Sequence, residues 1–310
     1  MKIAITGNSG FIGTHLCAAL SRAKNQEHEI VELNRTTLGD FHDVEDWGAV
    51  LAGCDAVVHL AGRVHRTDER TQDPAKYERD NVTLTENILD GAINAGVKNF
   101  VFLSTAAVYG SAHTPKSENA VLAPTTEYGR SKAKAEDLIS AASDNIRSIT
   151  IRPPLIYGKG CRANFMALKS AIRNNIPLPL RNVKNERSFL YIENLCSFIE
   201  HALQDQDISG IYNLADNDTL STPALIQMMA DSMGKKRRLF PFPTNVLKGV
   251  FSAVGYERQI TGLTGSFVLD INKVKDTSWR SPVSTREGLR RTLAQPRHDS
   301  PAPIGSALEL

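Results

Sequence analysis

Two side chains suited to proton transfer, Tyr128 and Lys132, lie four residues apart in the sequence. On a helix, this spacing places both side chains on one face. A tyrosine hydroxyl titrates near pH 10 in isolation, about three units too high for ready proton exchange at neutral pH. An adjacent ammonium group favours the phenolate, and Lys132 supplies that charge. The pair indicates acid–base chemistry on a substrate oxygen; the alternative is a chance spacing on a solvated helix face.

A further hydroxyl group is that of Thr105, twenty-three residues before Tyr128. It follows the apolar run 100–103, which has the composition of a buried strand. Ligands bind at the carboxyl ends of parallel strands, so we expect Thr105 to lie at that edge of a sheet. The sequence therefore predicts a hydroxyl group at the edge of the sheet where ligands bind.

A glycine-rich turn follows the first predicted strand. Gly7, Gly10 and Gly13 have the spacing GxxGxxG, with Phe11 and Ile12 opening the next helix. Glycine permits a tight turn and close approach of the backbone to a pyrophosphate, and the helix N-terminus adds N–H groups. This context predicts a dinucleotide site, although an ordinary strand-to-helix turn is the alternative.

The end of the second predicted strand bears on the choice of dinucleotide. A carboxylate there normally receives the ribose 2′-hydroxyl of NAD, whereas an arginine accommodates the 2′-phosphate of NADP. The chain has Asn34 and Arg35 at this point, and Glu32 is out of register with the expected acid. We therefore expect NADP(H), with Arg35 as the phosphate partner, and keep NAD(H) as possible. The alternative for Arg35 is a solvated surface residue.

Short β-branched runs alternate with helix-length segments through the first half of the chain, as in an α/β fold with a doubly wound parallel sheet. Strands are predicted at 2–6, 29–33, 56–60, 100–104 and 148–152, with helices at about 12–22, 75–95 and 128–142. Beyond residue 152 prolines interrupt the pattern, and helices are predicted at about 163–174, 193–204, 223–233 and 246–254. We divide the chain into a dinucleotide-binding domain (1–160, with returning elements around 188–220), a smaller interleaved substrate-binding domain (161–187 and 221–296) and a loosely packed tail (297–310).

Composition excludes several classes of protein. The 310 residues carry 36 basic and 34 acidic side chains, a net charge of +2, so no nucleic-acid partner is expected. No long apolar stretch is present, so we expect no signal peptide, no membrane partner and a cytoplasmic location. The four cysteines are far apart and the histidines lack metal-ligand spacing, so we expect no metal site.

Taken together, these motifs resemble the extended short-chain dehydrogenase/reductase family, which contains nucleotide-sugar epimerases, dehydratases and reductases. The resemblance runs from Met1 to about Arg290 and implies a Rossmann fold. Besides the glycine turn, it rests on Asp40, His59-Leu60-Ala61-Gly62, Asn81-Val82, Ser104-Thr105, Val108-Tyr109-Gly110, Tyr128 through Lys132, Arg152-Pro153 and Tyr157-Gly158.

The resemblance implies a role for each matching residue. Thr105 would hold the substrate oxygen, Tyr128 would exchange the proton, and Lys132 would bind the nicotinamide ribose while lowering the pKa of Tyr128. Asp40 would face the adenine amine, and Asn81 would help to seat the cofactor. The remaining cofactor contacts would come from Leu60, Ala61, Gly62 and Pro154.

One departure from the family bears on the reaction. Family dehydratases carry an Asp-Glu pair after the threonine, and this chain has Ala106 and Ala107. A methyl group cannot transfer a proton, so the sequence argues against 4,6-dehydration.

The substrate half adds Asn164 and Arg187, which match family residues that contact the sugar-nucleotide diphosphate. An arginine fork suits a dianionic diphosphate; the alternative for Arg187 is a salt bridge with Glu186 or Glu193. These segments and residues 261–267 look most like a bacterial branch of 4-ketoreductases acting on UDP-4-keto-6-deoxy-N-acetylhexosamines for surface polysaccharides.

The leading hypothesis is therefore NADP(H)-dependent reduction of a C4 ketone on a UDP-sugar. A UDP-hexose 4-epimerase with tightly bound NAD is the alternative among enzymes, and a non-catalytic dinucleotide sensor is the alternative of another class. The resemblance also implies a homodimer through the helices near 75–95 and 128–142. The second helix carries small and apolar residues suited to close packing: Ala133, Ala135, Leu138, Ile139, Ala141 and Ala142.

Overall fold

A parallel sheet of six strands organises the chain. The computed structural model describes residues 1–22, 28–64, 73–110, 114–161, 164–253, 255 and 257–294. The sheet order is β2–β1–β3–β4–β5–β8, and β6 and β7 form a separate parallel pair. The strands are β1 (Lys2–Thr6), β2 (Glu29–Leu33), β3 (Ala56–His59), β4 (Asn99–Leu103), β5 (Arg147–Arg152), β6 (Leu155–Tyr157), β7 (Phe189–Tyr191) and β8 (Gly210–Asn213).

Helices connect the strands and form the second half of the chain. They are α1 (Phe11–Leu20), α2 (Arg35–Leu38), α3 (Trp47–Val50), α4 (Pro74–Tyr77), α5 (Leu84–Asn94), α6 (Glu127–Ala141), α7 (Asn164–Arg173), α8 (Ile192–Gln204), α9 (Thr222–Ser232), α10 (Thr244–Ala253), α11 (Glu257–Thr264), α12 (Asn272–Lys275) and α13 (Thr285–Leu293). A π-helical segment, Glu78–Thr83, joins α4 to α5. Within the described ranges, none of the helices has the length and hydropathy needed to span a bilayer.

The two faces of the sheet carry different halves of the core. Successive strand residues point to opposite faces. Ile5 belongs to the cluster that includes Leu16 of α1, whereas Ala4 belongs to the cluster that includes Ile88 of α5 and Ile139 of α6. Because helices cover both faces, every residue of β3 and β4 is buried, which explains why these strands are nearly unbroken apolar runs.

The predicted Rossmann-type α/β fold is confirmed. The strands expected in the first half have the predicted positions to within one residue, and the expected helices are present to within about two residues at each end. The pair β6–β7 was not predicted, because three-residue strands carry too little alternation to be seen. The tail 297–310 lies outside the described residues.

Some of the apolar residues of α6 pack within the chain. Ala135 and Ile139 are buried against the sheet, whereas Ser140 and Ala141 are exposed at the end of the helix. Arg130, Lys134 and Asp137 are exposed earlier in the helix. The outward face of α6 is therefore charged over this stretch. The homodimer stays a prediction, and the buried Ala135 and Ile139 have a role in the packing of the single chain.

A chain of buried hydrogen bonds crosses the carboxyl edge of the sheet through His59. Thr6 Oγ1 lies 2.7 Å from His59 Nδ1, and His59 Nε2 lies 3.0 Å from Thr85 Oγ1. Thr85 donates to the Asn81 carbonyl, so His59 Nε2 must be the donor to Thr85 and Nδ1 the acceptor from Thr6. A second proton on the ring would break this chain. Burial, with a smaller effect of the Lys132 charge, lowers the pKa of His59 to about 3.

Replacing His59 with Gln should reduce the loss of stability in acid. The folded protein holds His59 neutral, so its stabilisation is fully present above pH 6.5 and is lost as the pH falls towards 3. Between pH 7 and 5 this loss is about 2 kcal/mol. Urea unfolding at the two pH values measures it, and an equal loss in the wild type and His59→Gln would contradict the assignment.

Candidate active site

The turn between β1 and α1 packs its glycines closely against neighbouring backbone. Gly7 has a φ of +71°, and a Cβ there would lie 2.9 Å from the Ala61 nitrogen. A Cβ on Gly13 would lie 2.4 Å from the Gly7 oxygen. Gly10 caps α1 without a side chain, so no side-chain oxygen occupies the amides of the first turn. The tight glycine turn and the uncapped amides at the start of α1 fit a dinucleotide pyrophosphate.

The segment after β3 lines the same turn. The Leu60 and Ala61 amides each donate to Thr6 Oγ1 at 3.2 Å. A Cβ on Gly62 would lie 2.8 Å from Asn81 Oδ1, so only glycine allows this approach. Asn81 is buried in the π-helical segment, a type of distortion frequent at functional sites.

Asn81 links the segment after β3 to helix α6. Its Nδ2 donates to Ser131 Oγ at 2.8 Å and to the Arg63 carbonyl at 3.0 Å, and its Oδ1 accepts from the Arg63 amide. With these bonds in place, Asn81 fixes the wall of the cleft. A direct contact with a cofactor stays a prediction.

Neutral amides occupy the tip of β2. The Asn34 side chain caps α2 by accepting from the amides of Thr36 and Thr37, and its Nδ2 donates to Asn8 Oδ1 at 3.0 Å. Asn8 Nδ2 in turn donates to Glu32 Oε2 at 2.5 Å. Glu32, which the register argument set aside, therefore brings a carboxylate close to the glycine turn through Asn8.

Charged groups lie just beyond this tip. Arg35 opens α2 with an exposed side chain, and Asp40 pairs with Arg79 at 3.1 Å. The His42 amide, His42 itself and the charges of Arg79 and Arg35 hold the pKa of Asp40 below its usual value. The charge of Arg35 is thus close enough to Asp40 to lower the pKa of that carboxyl. The Arg35 side chain is exposed and can bind an anion.

Tyr128 and Thr105 meet where β4 ends and α6 begins. The Thr105 hydroxyl hydrogen-bonds the Tyr128 phenol, and its oxygen also accepts from the Ala107 amide at 3.2 Å. Burial raises the pKa of Tyr128 to about 12, and the Thr105 bond opposes part of that rise. The resemblance implied a lowered pKa; here the net direction is upward, so the phenol is protonated at neutral pH.

Lys132 lies on the same buried face of α6. Its Nζ donates to the Leu103 carbonyl at 2.9 Å and lies 4.3 Å from the centre of the Phe102 ring. Burial lowers the pKa of Lys132 to about 8, while the Glu136 charge raises it. The ammonium form therefore predominates at neutral pH and is lost as the pH rises through about 8.

Residues after β5 and β6 pack against the start of α1. Gly158 and Gly160 lie against the Phe11 ring, since a Cβ on either would be within 4 Å of it. Phe11, Ile12 and Pro154 are half-buried. The structure thus brings residues far apart in the sequence to one side of the glycine turn.

Arg187 is a half-buried cation without a carboxylate partner among the described residues. Its Nη1 donates to the Gly265 carbonyl at 3.0 Å, and burial is what lowers its pKa. Glu193, one of the proposed partners, pairs instead with Arg291, so the salt-bridge alternative fails. Asn164 begins α7, and its side chain lies outside the described residues.

A buried ion pair that sequence reasoning missed supports the catalytic face of α6. Glu136 and Arg152 are each 3% exposed and form a double hydrogen bond. Ser104 donates to Glu136, and Arg152 Nη1 donates to the Tyr109 hydroxyl at 2.8 Å. Glu136 stands one helical turn after Lys132, which is the signal that could have identified it.

This geometry defines an α/β dinucleotide-binding protein with a Tyr–Thr–Lys constellation at the carboxyl edge of its sheet. The model of the NAD dependent epimerase/dehydratase family matches residues 3–215. The chain belongs to this family.

Three known proteins illustrate the similarity. The UDP-glucose 4-epimerase of Vibrio cholerae is 30% identical, with 94% of each chain covered. The N-acetyl-alpha-D-glucosaminyl-diphospho-ditrans,octacis-undecaprenol 4-epimerase of Escherichia coli O157:H7 is also 30% identical, again over 94% of each chain. The crystal structure of a UDP-glucuronic acid 4-epimerase from Bacillus cereus in complex with NAD superposes with a TM-score of 0.75 at 23% identity, covering 94% of this chain and 97% of that one. This last likeness concerns the fold.

The Glu136→Gln variant should shift the alkaline limb of the pH–rate profile to lower pH. Glu136 raises the pKa of Lys132, so its loss lets the ammonium deprotonate earlier. Leaving Arg152 unpaired should also lower the free energy of unfolding by about 3–5 kcal/mol. Rates measured across pH at a temperature where the variant is folded test the shift.

The matched control is Ser104→Ala, which removes the hydrogen bond to Glu136 and keeps both charges. It should cost about 1–2 kcal/mol of stability without moving the alkaline limb. If Glu136→Gln leaves the limb where it is in the wild type, Glu136 does not act on Lys132.

Proposed function

We propose that the protein reduces the C4 ketone of a UDP-4-keto-6-deoxy-N-acetylhexosamine with NADP(H). The observation that carries this proposal is the Tyr128 phenol, which is protonated at neutral pH and hydrogen-bonded to Thr105. Ketone reduction needs a proton donor beside the carbonyl oxygen. An epimerase uses the same group first as a base and then as an acid, so the exposed Arg35 at the tip of β2, which suits the 2′-phosphate of NADP, is what favours the reductase.

The side chains divide the reaction between them. The nicotinamide of the dinucleotide supplies the hydride when bound. Thr105 and Tyr128 hold the carbonyl oxygen between two hydroxyls, and Tyr128 Oη gives its proton to that oxygen as the alkoxide forms. Lys132 keeps a positive charge on the same face of α6, which favours the phenolate left behind. Ala106 and Ala107 carry no group able to expel a leaving group, so the chemistry stops at reduction.

The nucleotide part of the substrate fits the charge of the cleft. Arg187 is half-buried with no carboxylate partner among the residues described, and an uncompensated guanidinium is costly to bury. A diphosphate supplies the missing charge and matches the donor geometry of the fork. The epimerases named above act on UDP-linked or undecaprenol-diphosphate-linked sugars by their names, and a diphosphate is common to both.

The relatives favour a second candidate, a UDP-sugar 4-epimerase. The curated relatives described above and the structural neighbour are all 4-epimerases, and that neighbour holds NAD. Glu32, held beside the glycine turn by Asn8, is the feature of this chain that favours NAD. An epimerase returns its hydride to the sugar and consumes no cofactor overall, so the two reactions are separable by experiment.

The test mixes purified protein with UDP-4-keto-6-deoxy-GlcNAc and either NADPH or NADH, and follows nicotinamide absorbance and product stereochemistry. The reductase assignment expects stoichiometric oxidation of NADPH and one 4-hydroxy product. A parallel reaction contains UDP-glucose or UDP-GlcNAc without added reductant. Interconversion of 4-epimers there, with no oxidation of NADPH in the first reaction, would establish the epimerase instead.

Tyr128→Phe should reduce kcat by about 10²–10⁴-fold, because placed proton donors contribute on that scale. Binding of NADPH, measured by fluorescence titration, should change little because the ring is retained. Tyr212→Phe on β8 is the matched control and should keep the wild-type rate. A near-normal rate in Tyr128→Phe removes Tyr128 from the mechanism.

Arg35→Ala should weaken NADPH binding by roughly tenfold and leave NADH binding nearly unchanged. The two cofactors differ at the 2′-phosphate, and a partly exposed charge-assisted bond is worth about 1–2 kcal/mol. Lys98→Ala, which removes an exposed charge just before β4, is the control. Equal weakening of both cofactors by Arg35→Ala would show that Arg35 does not read the 2′-phosphate.

A further inference from the structure

The charges of the chain are unevenly distributed. The whole protein has a net charge of +2, yet residues 164–187 and 221–253 carry ten Lys and Arg side chains and two carboxylates. Eight of the ten bases are exposed, and none of the ten lies within salt-bridge distance of a carboxylate among the described residues. Four of them, Lys235–Arg238, are consecutive. Such a cluster attracts an anionic surface.

Backbone pairing brings two basic segments together. The Leu178 amide donates to the Arg238 carbonyl at 2.8 Å, and the Arg181 amide donates to the Phe240 carbonyl at 3.2 Å. Leu178 and Leu239 are half-buried and pack on the core, so the alternation along the segment turns Arg238 and Phe240 outwards. Both segments therefore contribute to one exposed face.

Large apolar side chains are exposed on the same segments. Ile176 is 49% exposed and Phe240 is 41% exposed. Helix α10 begins at Thr244, and its Val246 and Val250 are 52% and 55% exposed. These valines are four residues apart and share a flank of the helix. Val246 is six positions after Phe240, so their Cα atoms lie within about 20 Å of each other.

The packing of helix α10 against the rest of the chain does not involve its two exposed valines. Leu247 is its buried residue, and Phe251 is half-buried beside the core. Exposed apolar groups interspersed with unpaired bases are typical of surfaces that contact lipid. A soluble anion such as a nucleotide would be attracted by the bases and would gain nothing from the apolar groups.

We propose that residues 173–181, 235–240 and helix α10 form a docking surface for an anionic lipid membrane. The bases contact the headgroups, and Phe240, Val246 and Val250 enter the interface. A spanning segment is not needed for such peripheral contact. Arg187 is only six positions after Arg181, which belongs to the docking surface. Docking would therefore hold the proposed sugar site close to the membrane.

The test is flotation of the full chain with vesicles of phosphatidylcholine alone or with about one third phosphatidylglycerol, an anionic lipid. The wild type should bind the anionic vesicles, and binding should weaken as salt is raised. Changing Lys235, Lys236, Arg237 and Arg238 together to Gln should weaken binding about six hundredfold, because each base contributes about fivefold. Val246→Ser with Val250→Ser should weaken it about tenfold.

The matched control removes four exposed bases elsewhere, at Arg22, Lys76, Lys98 and Lys275. It should leave vesicle binding within about twofold of the wild type. Failure to bind anionic vesicles, equal loss in the control, or full binding by the valine variant would each overturn the proposal. Light scattering would assign the face to a second copy of the chain if the wild type were a dimer and the double valine variant a monomer. A raised KM for the nucleotide sugar in the Lys235–Arg238 variant, with vesicle binding intact, would assign the bases to substrate attraction.

Discussion

The contact between the end of strand β4 and one face of helix α6 is the constraint on which the site depends. Three consecutive residues, 103–105, each receive one side chain from α6. The Leu103 carbonyl accepts from Lys132, Ser104 donates to Glu136, and Thr105 hydrogen-bonds Tyr128. Rotation or sliding of α6 would break all of these bonds together. The relative positions of the reacting groups are therefore fixed by the packing of the scaffold, before any ligand contributes.

Two arginines that are removed from solvent to different extents differ in whether a carboxylate of the chain balances their charge. Arg152 is almost fully buried, and Glu136 balances it within the protein. Arg187 has no such carboxylate among the described residues, and we propose that an anionic ligand balances its charge. The first arrangement holds the fold in one geometry, and in the proposal the second serves ligand binding. Burial alone does not distinguish these roles; the identity of the partner does.

The sequence predicted what depends on local pattern. The strand–turn–helix around the three glycines, the unbroken apolar strands and the helix bearing Tyr128 and Lys132 all follow from short-range spacing. What it missed depends on contacts across the fold. Glu136 lies on α6 and Arg152, sixteen residues later, ends β5. The spacing from Lys132 points to Glu136, but no local pattern identifies Arg152 as its partner. The register argument placed Glu32 away from the cofactor, but its long side chain reaches the turn through Asn8. The raised pKa of Tyr128 reflects burial, which a helix-face argument does not measure.

The central claim is that this scaffold holds a sugar ketone against Thr105 and Tyr128 so that one hydride is delivered to it. Transfer of deuterium from NADPH labelled at the nicotinamide C4 measures this directly, with the UDP-sugar product analysed by mass spectrometry and NMR. The account predicts one deuterium at sugar C4 for each NADPH oxidised, from one face of the nicotinamide. Product that carries no label, or interconversion of C4 epimers without consumption of NADPH, would contradict it.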